Sequence, residues 1–389
     1  MKKQLFFLVF ASIFLSSCGG SSSSESITDL SRMDRVEITE QKQISVDSVI
    51  EKIDYVKLGN TGDVLIGKVT HLLITPDHFV IGDTRQAKAV FVFDRAGNVQ
   101  AVISRLGRGP QEYQDLNTIF LSPDRQAIGI VDNSTKKLLY FDMAGNFIKK
   151  QDLPFSCNGI EYLDDKTLML ASDGWADRSS ALESYPGKND LLFFTDTTLH
   201  IQNSAIVNPF NVEIFNHVPF HNKKFDDRIY VGKAFCDTIY QVTANEIFPR
   251  YWLDMTAVNG VANFGKDMSN EKVEQIDGPR FVGNLYVESD DYALFNISNM
   301  GFVLYDKRMK KVYNMKFSSS TALGMYVFFS EFSHRNQFVS VVPAFQFLTF
   351  CPDVPGVELR NEIKEGLTDE DNPVLLFYTL KAPNDSPAN

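Results

Sequence analysis

The loop at residues 107–113 carries the side chains in this sequence that are best suited to binding chemistry. It reads Gly107-Arg108-Gly109-Pro110-Gln111-Glu112-Tyr113. The Arg108 guanidinium is a planar fork that suits a carboxylate or sugar hydroxyls, and the Tyr113 ring offers a stacking face. The structural alternative is that Glu112 pairs with Arg108 or accepts hydrogen bonds from backbone amides, while Tyr113 packs internally. We favour this alternative and keep Arg108, Glu112 and Tyr113 as a candidate ligand-binding loop.

A second aromatic segment lies in an insertion at residues 175–188. Its Trp175 and Tyr185 side chains would suit a saccharide ring, because aromatic faces stack on apolar surfaces. The alternative is a solvated loop without a ligand. We favour the solvated loop and retain Trp175 and Tyr185 as second candidates.

The sequence contains none of the common catalytic or nucleotide-binding motifs. G-x-S-x-G, Walker A, H-E-x-x-H and EF-hand patterns are all absent from the chain. Ser134 and Lys137 have a nucleophile–base spacing, but they lie in a predicted turn, where burial would not shift the lysine pKa. We therefore predict no catalytic residue and no cofactor.

One histidine pair has a spacing that would suit a metal ion on a helix. The six histidines are His71, His78, His200, His217, His221 and His334. His217 and His221 are four residues apart, which on a helix would place both rings on one face. Pro219 lies between them and argues against a helix. Surface-loop histidines are the better interpretation, and no metal site is predicted.

The composition excludes two classes of protein. The chain has 389 residues, with 38 Lys+Arg against 49 Asp+Glu and a formal net charge of −11. Because 44% of the residues are hydrophobic, the bulk of the chain is too apolar to be intrinsically disordered. A nucleic-acid partner is not expected either, since no basic stripe is present to neutralise phosphates.

The N-terminus has the organisation of a bacterial export signal. Lys2 and Lys3 precede an apolar stretch at residues 5–15, which as a helix would span about 16 Å and cannot cross a hydrocarbon core of about 30 Å. The following residues, Leu15-Ser16-Ser17-Cys18-Gly19, look like a lipobox, in which Cys18 becomes the lipidated mature N-terminus. The alternative is an ordinary secretory signal with a chance cysteine.

These features predict an outer-membrane lipoprotein of the bacterial cell envelope that faces the periplasm or the cell surface. Residues 1–17 are the expected signal peptide, and residues 18–50 the lipidated Cys18 with a flexible Gly/Ser-containing tether. No later segment is apolar for long enough to span a membrane, so lipid is the expected membrane contact. The remaining cysteines, Cys157, Cys236 and Cys351, fit no zinc spacing. Buried thiols are expected, with a single disulfide left open.

Two segments repeat with a period of 48 residues. Asp94 and Asp142 stand 48 residues apart, as do Gly97 and Gly145, and apolar strand-like runs precede both pairs. Periods of about 40–50 residues with several short strands are typical of propeller blades. These Asp and Gly residues suit hairpin turns, in which Gly takes the left-handed conformation. A metal-ligand role is the alternative, but the hairpin already explains each residue.

The repeats predict an all-β fold, a six-bladed β-propeller of four-stranded antiparallel blades over residues 51–382. Later units are less regular, and seven blades would need more strand pairs than the sequence offers. Residues 357–368 have helical periodicity. Residues 53–58 and 373–380 are apolar strands expected to close the ring from the two ends of the chain. Residues 383–389 are a tail.

Four segments of the chain match motifs of a known family: Tyr55-Val56-Lys57-Leu58; residues 107–113, similar to Gly-x-Gly-Pro-Gly-Glu-Tyr; Asp237-Thr238-Ile239-Tyr240 with Pro249-Arg250-Tyr251; and Asn372-Pro373-Val374-Leu375. On these segments the chain resembles the six-bladed β-propeller lipoproteins of Bacteroidetes, distant relatives of NHL-repeat propellers. Gln111 replaces the usual Gly of that loop, so its backbone need not reach positive φ. The resemblance implies fold and location, but little chemistry.

Two functions of different classes are compatible with these observations. The first is a non-enzymatic binding or scaffold module for a glycan, a peptide or an envelope protein. The second is an NHL- or lactonase-like enzyme with a divalent metal at the central channel. We favour the first because no catalytic motif is present, and a stoichiometric metal in the purified protein would favour the second.

Overall fold

The computed structural model describes residues 30–172, 182, 185–188, 190–207, 220–225, 227–233, 237–258, 280, 282–316, 323–350 and 358–383. In these ranges the chain forms six antiparallel four-stranded units, of which two gain a fifth strand. The units follow one another along the chain as the six blades of a β-propeller. The predicted fold class is confirmed.

In each of blades I to V, four consecutive strands run in chain order from the innermost position outwards. Blade I consists of β4 (His71–Ile74), β5 (His78–Asp83), β6 (Ala89–Asp94) and β7 (Val99–Ile103). Blade II consists of β8 (Thr118–Leu121), β9 (Ala127–Asp132), β10 (Lys137–Asp142) and β11 (Phe147–Asp152). Blade III consists of β12 (Gly159–Tyr162), β13 (Thr167–Ala171), β14 (Asp190–Asp196) and β15 (Ile201–Val207).

The second half of the ring contains blades IV to VI. Blade IV contains β16 (Phe220–Phe225), β17 (Arg228–Lys233), β18 (Thr238–Val242) and β19 (Ile247–Asp254). Blade V contains β20 (Val282–Glu288), β21 (Tyr292–Ile297), β22 (Gly301–Asp306) and β23 (Lys311–Lys316). Blade VI contains β24 (Phe332–His334), β25 (Gln337–Val342) and β26 (Val374–Leu380).

An N-terminal strand completes blade VI and closes the ring, as predicted. This strand, β3 (Ile50–Lys57), pairs antiparallel with β26, so that Tyr55 lies opposite Leu376. Blade VI thus combines strands from both ends of the chain, and closing a ring of sheets in this way is a general means of protecting sheet edges.

Two further strands precede β3, in a segment that the sequence analysis assigned to the tether. β1 (Asp34–Glu37) adds parallel to β19, and β2 (Ile44–Ser45) adds parallel to β23. Val36 and Ile38 are fully buried there. The propeller therefore includes residues 34–37 and 44–45, which precede its predicted start at residue 51. Strands of four and two residues with polar neighbours give no periodic signal in the sequence.

The helices within the described ranges are short. They include α1 (Ala344–Phe350), α2 (Glu358–Lys364) and the 3-10 segments Leu30–Arg32, Val46–Ser48, Thr256–Val258 and Leu323–Phe329. α2 lies inside the stretch predicted to be helical but is shorter. None of the helices in the described ranges is long and apolar enough to cross a membrane.

Continuous apolar runs in the middle strands reflect burial on both sides of each blade. Along β6, Val90 and Val92 pack in the same cluster as Ile128 of blade II. Phe91 belongs to the cluster that contains Phe377 of blade VI. Side chains alternate across a strand, so one strand fills two interfaces between blades.

The repeated Asp and Gly residues make the hairpin turns that the sequence predicted. Asp94 Oδ1 accepts hydrogen bonds from the Ala96 and Asn98 amides, both at 2.9 Å, and Gly97 has a φ of 88°. Asp142 accepts from Ala144 N and Asn146 N in the same way, and Gly145 has a φ of 80°. These carboxylates are occupied by the backbone of their own turns.

Candidate functional site

The connections between strands give the propeller two unlike faces. On one face lie the connections from the first to the second strand of a blade and from the third to the fourth. Each of these connections has five residues or fewer, so we call this face the turn face. It carries connections 75–77, 95–98, 122–126, 143–146, 163–166, 197–200, 226–227, 243–246, 289–291, 307–310 and 335–336.

The opposite face, which we call the loop face, holds the connections from second to third strand and those between blades. Among the residues that the structure describes, it carries residues 58–70, 84–88, 104–117, 133–136, 153–158, 185–188, 255–258, 298–300, 323–331, 343–350 and 358–373. Long loops on a rigid scaffold are where binding residues concentrate. The loop face is therefore the candidate functional surface.

Tyr113, from the first candidate loop, is a buried residue of the loop-face connection 104–117. Its side chain has no exposed surface. Its hydroxyl donates to the Lys88 carbonyl oxygen at 2.6 Å, lies 3.1 Å from the Ile103 carbonyl oxygen, and accepts from the Arg105 amide at 3.3 Å. A ring held in this way packs between blades and offers no free face to a ligand.

Glu112 closes the same loop on itself. Its Oε2 accepts a hydrogen bond from the Gly109 amide at 2.7 Å, and its own amide donates to the Gly109 carbonyl oxygen at 3.2 Å. A Cβ on Gly107 would stand 2.1 Å from the same Oε2. Glu112 therefore has the structural role considered in the sequence analysis, in which it accepts hydrogen bonds from backbone amides. Arg108 is exposed, so a ligand could reach its guanidinium directly.

The buried Tyr113 phenol makes unfolding sensitive to alkaline pH. Burial raises the pKa of Tyr113 from 10.0 to about 12, although the hydrogen bond from the Arg105 backbone favours the ionised form. The unfolded chain therefore releases this proton at lower pH than the folded chain. We expect the Tyr113 contribution to stability to be complete below pH 10 and to be lost as the pH rises towards about 12. Urea unfolding of wild type and Tyr113→Phe across this range measures the difference.

The second candidate loop is only partly described. Trp175 lies outside the described residues. Tyr185 is half-buried, and its ring centroid lies 6.0 Å from that of Phe193 on β14. The Lys188 amide donates to the Tyr185 carbonyl oxygen at 3.1 Å. Tyr185 thus packs against blade III on one side.

The described histidines and cysteine lie apart from one another. No group of three or more His, Cys, Asp or Glu side chains that could hold a metal is found among the described residues. His71 bridges two threonines, with Nδ1 3.0 Å from Thr70 Oγ1 and Nε2 3.0 Å from Thr118 Oγ1. Cys157 is a fully buried free thiol, and burial raises its pKa to about 12.

His217, Cys18, Cys236 and Cys351 lie outside the described residues, as does the side chain of His221.

Exposed apolar side chains on the loop face were not identified from the sequence. Leu65, Leu106, Phe329 and Phe345 are each about half exposed and lie in loop-face connections. Phe329 ends the 3-10 segment before blade VI, whereas Phe345 lies on α1. The two helices meet where Tyr326 stacks on Phe347, with ring centroids 6.4 Å apart. A sequence window cannot show which apolar residues of a folded chain stay exposed.

A buried carboxylate between blades IV and V was also missed. Glu288 ends β20 and has no exposed surface. Its Oε1 accepts from Tyr230 Oη and Tyr251 Oη, both at 3.0 Å, and from Lys307 Nζ at 2.7 Å. Its Oε2 accepts from Tyr286 Oη. We call these five residues the Glu288 cluster.

Burial is the largest cause of the pKa shifts of Tyr251, Tyr286 and Lys307. It raises the pKa of Tyr251 and Tyr286 well above the usual value, and the negative charge of Glu288 adds to the rise. Burial also lowers the pKa of Lys307, against the attraction of Glu288. Since the polar atoms of the carboxylate are all satisfied, the cluster acts as an internal support and presents no free group to a ligand.

Comparison with known proteins gives a family and a fold. The family model described as domain of unknown function DUF4934 matches residues 31–379. A solved structure of a candidate exported protein from Bacteroides fragilis is 18% identical, with a TM-score of 0.67 over 90% of this chain and 100% of that chain. A DUF4221 member from Bacteroides vulgatus is 12% identical, with a TM-score of 0.48 over 86% and 97%. No curated protein matches.

Proposed function

We propose that this chain, which belongs to the DUF4934 family of domains of unknown function, is a cell-envelope lipoprotein with a non-enzymatic binding or scaffold propeller. The partner that we propose is another protein of the envelope. It would contact the loop face, and the turn face would take no part in binding.

One observation carries the proposed partner. Six large hydrophobic side chains are exposed in the described part of the chain, and Leu65, Leu106, Phe329 and Phe345 among them share the loop face. This excess of exposed apolar side chains on one face supports a protein-binding surface there. Glycans and short peptides remain alternatives that the experiment below distinguishes.

The envelope location rests on the N-terminal sequence. Cys18 follows an apolar stretch of the length typical of a signal peptide, in a lipobox-like context. The similar structure from Bacteroides fragilis is described as a candidate exported protein, which supports export of this chain as well.

Changes at two exposed phenylalanines test the binding face. Protein lacking residues 1–18 is used as bait in an envelope extract, as wild type and as the Phe329→Ser/Phe345→Ser variant. We expect the double variant to recover at least about tenfold less partner, since each lost apolar anchor weakens binding by about 1 kcal/mol or more. The measurement is quantitative mass spectrometry of the captured proteins.

The matched control changes apolar residues elsewhere on the surface. Ile148 lies on β11 and Met309 on the turn face, and both are half exposed. The Ile148→Ser/Met309→Ser variant should recover as much partner as wild type. Equal losses in both variants, capture only by a glycan panel, or a stoichiometric divalent ion with hydrolytic activity would each contradict the proposal.

Replacement of Cys18 by Ala is expected to release the protein from the membrane fraction. The acyl chains on Cys18 are the proposed attachment, and stable anchoring requires such buried hydrocarbon. Fractionation of cells that express wild type or Cys18→Ala measures the release, and metabolic acyl labelling verifies the modification. A wild-type protein that pellets with membranes without acyl label would refute the lipoprotein assignment.

A further inference from the structure

We infer that the turn face of the propeller lies towards the membrane and that the loop face is presented away from it. The inference rests on the lipid anchor of the proposed function. It follows from where the N-terminal segment joins the propeller.

The described chain begins beside the turn face of blade IV. The 3-10 segment Leu30–Arg32 packs on β19, and Arg32 Nη1 lies 2.5 Å from Glu246 Oε1 in the turn-face connection 243–246. The Arg32 guanidinium also stacks over the Phe248 ring, 3.5 Å from its centroid. Arg250 Nη1 reaches the Arg32 carbonyl oxygen at 3.4 Å.

The next residues are held by a second turn of the same face. Asp34 accepts from Arg250 Nη1 at 2.9 Å and from Lys310 Nζ at 3.1 Å. Lys310 belongs to the turn-face connection 307–310 of blade V. The side chains of Arg250 and Asp34 are three-quarters or more buried, so their ion pair is shielded from salt. The chain therefore joins the propeller at a fixed place on the turn-face side.

The length of chain before this place favours one orientation. Eleven residues lie between Cys18 and Leu30, and the twelve Cα–Cα steps from one to the other span at most about 40 Å when fully extended. The propeller is at least about 20 Å thick, the length of a six-residue strand. With the loop face towards the bilayer, the segment between Cys18 and Leu30 would have to extend along the full thickness of the propeller and past the loop-face connections. With the turn face towards the bilayer, it needs almost no extension.

The exposed charges of the turn face are of both signs. Its connections carry exposed carboxylates at Asp77, Asp124, Asp164, Asp165 and Asp290, and exposed basic side chains at Lys166, Arg308, Lys310 and Arg335. Repulsion of the former by anionic lipid headgroups opposes attraction of the latter, so the inferred orientation rests on where the chain is attached. The attachment therefore favours the orientation with the turn face towards the bilayer, which leaves the apolar side chains of the loop face accessible to a protein partner.

Energy transfer to labelled lipid tests the orientation in the acylated, full-length protein. A fluorescent amino acid replaces either Gln126 on the turn face or Gln111 on the loop face, both exposed glutamines at blade II. Each protein is reconstituted in vesicles that contain an acceptor-labelled lipid. We expect transfer from position 126 to exceed that from position 111 by about twofold or more, because the faces are separated by about 20 Å. Positions Asn245 and Asp369 provide a second pair, with the larger transfer from Asn245.

The outcomes separate the orientation from the anchor. Equal transfer within both pairs, or larger transfer from positions 111 and 369, would overturn the orientation while leaving the anchor intact. Absence of transfer from every position, together with recovery of the wild-type protein in the vesicle-free fraction, would overturn the anchor and the orientation with it. The Cys18→Ala protein carrying the same labels sets the background.

Discussion

Replacement of Glu288 by Ala is expected to lower the free energy of unfolding by about 3–5 kcal/mol, the usual cost of removing one partner of a buried ion pair. Lys307 would lose its 2.7 Å contact while the side chain of Lys307 remains 9% exposed. The hydroxyls of Tyr230, Tyr251 and Tyr286 would lose their shared acceptor in the same step. Urea unfolding followed by circular dichroism measures the change.

Two further variants show whether the effect arises from the buried charge. Glu288→Gln keeps an acceptor oxygen but removes the charge, so we expect an intermediate loss of stability. Asp290→Ala removes an exposed partner of Arg228, 2.9 Å away, and should cost less than about 1 kcal/mol. If Glu288→Ala and Asp290→Ala unfold at the same urea concentration, the cluster does not support blades IV and V as described.

Blades I and II could be predicted from sequence because their turns are specified locally. One turn contains Asp94 and Gly97, and the equivalent turn contains Asp142 and Gly145. In each turn the carboxylate accepts backbone hydrogen bonds and the glycine adopts a positive φ. Such a turn depends on four or five neighbouring residues only, so it can be recognised from the sequence without knowledge of the rest of the fold.

Blade III shows why the later repeats are harder to recognise. Asp196 accepts from the Thr198 and His200 amides, as its counterparts do in blades I and II. Leu199 occupies the position of the glycine and adopts a φ of 66°. A leucine in the left-handed region is strained and is tolerated because Leu199 is buried in the core of that blade. The turn is kept, but its sequence signature is lost.

The Glu288 cluster could not be predicted because its members meet only in the folded ring. Tyr230 and Tyr251 come from blade IV, while Tyr286, Glu288 and Lys307 come from blade V. A lone glutamate at the end of a strand is ordinarily exposed, and only the packing of two blades buries this one. The exposed phenylalanines of the loop face have the same origin, since their exposure depends on what neighbouring connections cover.

The loop at residues 107–113 is an intermediate case, in which the sequence identified the right residues and left two roles open. Its position between two blades follows from the repeat, whereas the burial of Tyr113 depends on Lys88, 25 residues earlier in the chain. The geometry therefore leads to a second stability prediction, in which structural and ligand-binding roles give opposite results.

Tyr113→Ala is expected to lower the free energy of unfolding by about 3–5 kcal/mol, the usual cost of truncating a fully buried aromatic side chain. Tyr113→Phe keeps the ring but removes the hydroxyl, which leaves the Lys88 carbonyl oxygen without its 2.6 Å donor and should cost about 1–3 kcal/mol. Arg108→Ala, at an exposed position of the same loop, should stay within about 0.5 kcal/mol of wild type.

Melting and partner capture, measured on the same three variants, separate the two roles of this loop. A supporting role of Tyr113 requires the order Tyr113→Ala, Tyr113→Phe, Arg108→Ala from least to most stable. Folded Tyr113→Phe protein should capture its partner as wild type does, because the hydroxyl contacts only backbone atoms of the loop and its neighbours. Wild-type melting of Tyr113→Phe combined with lost capture would instead show that the phenol is a binding group.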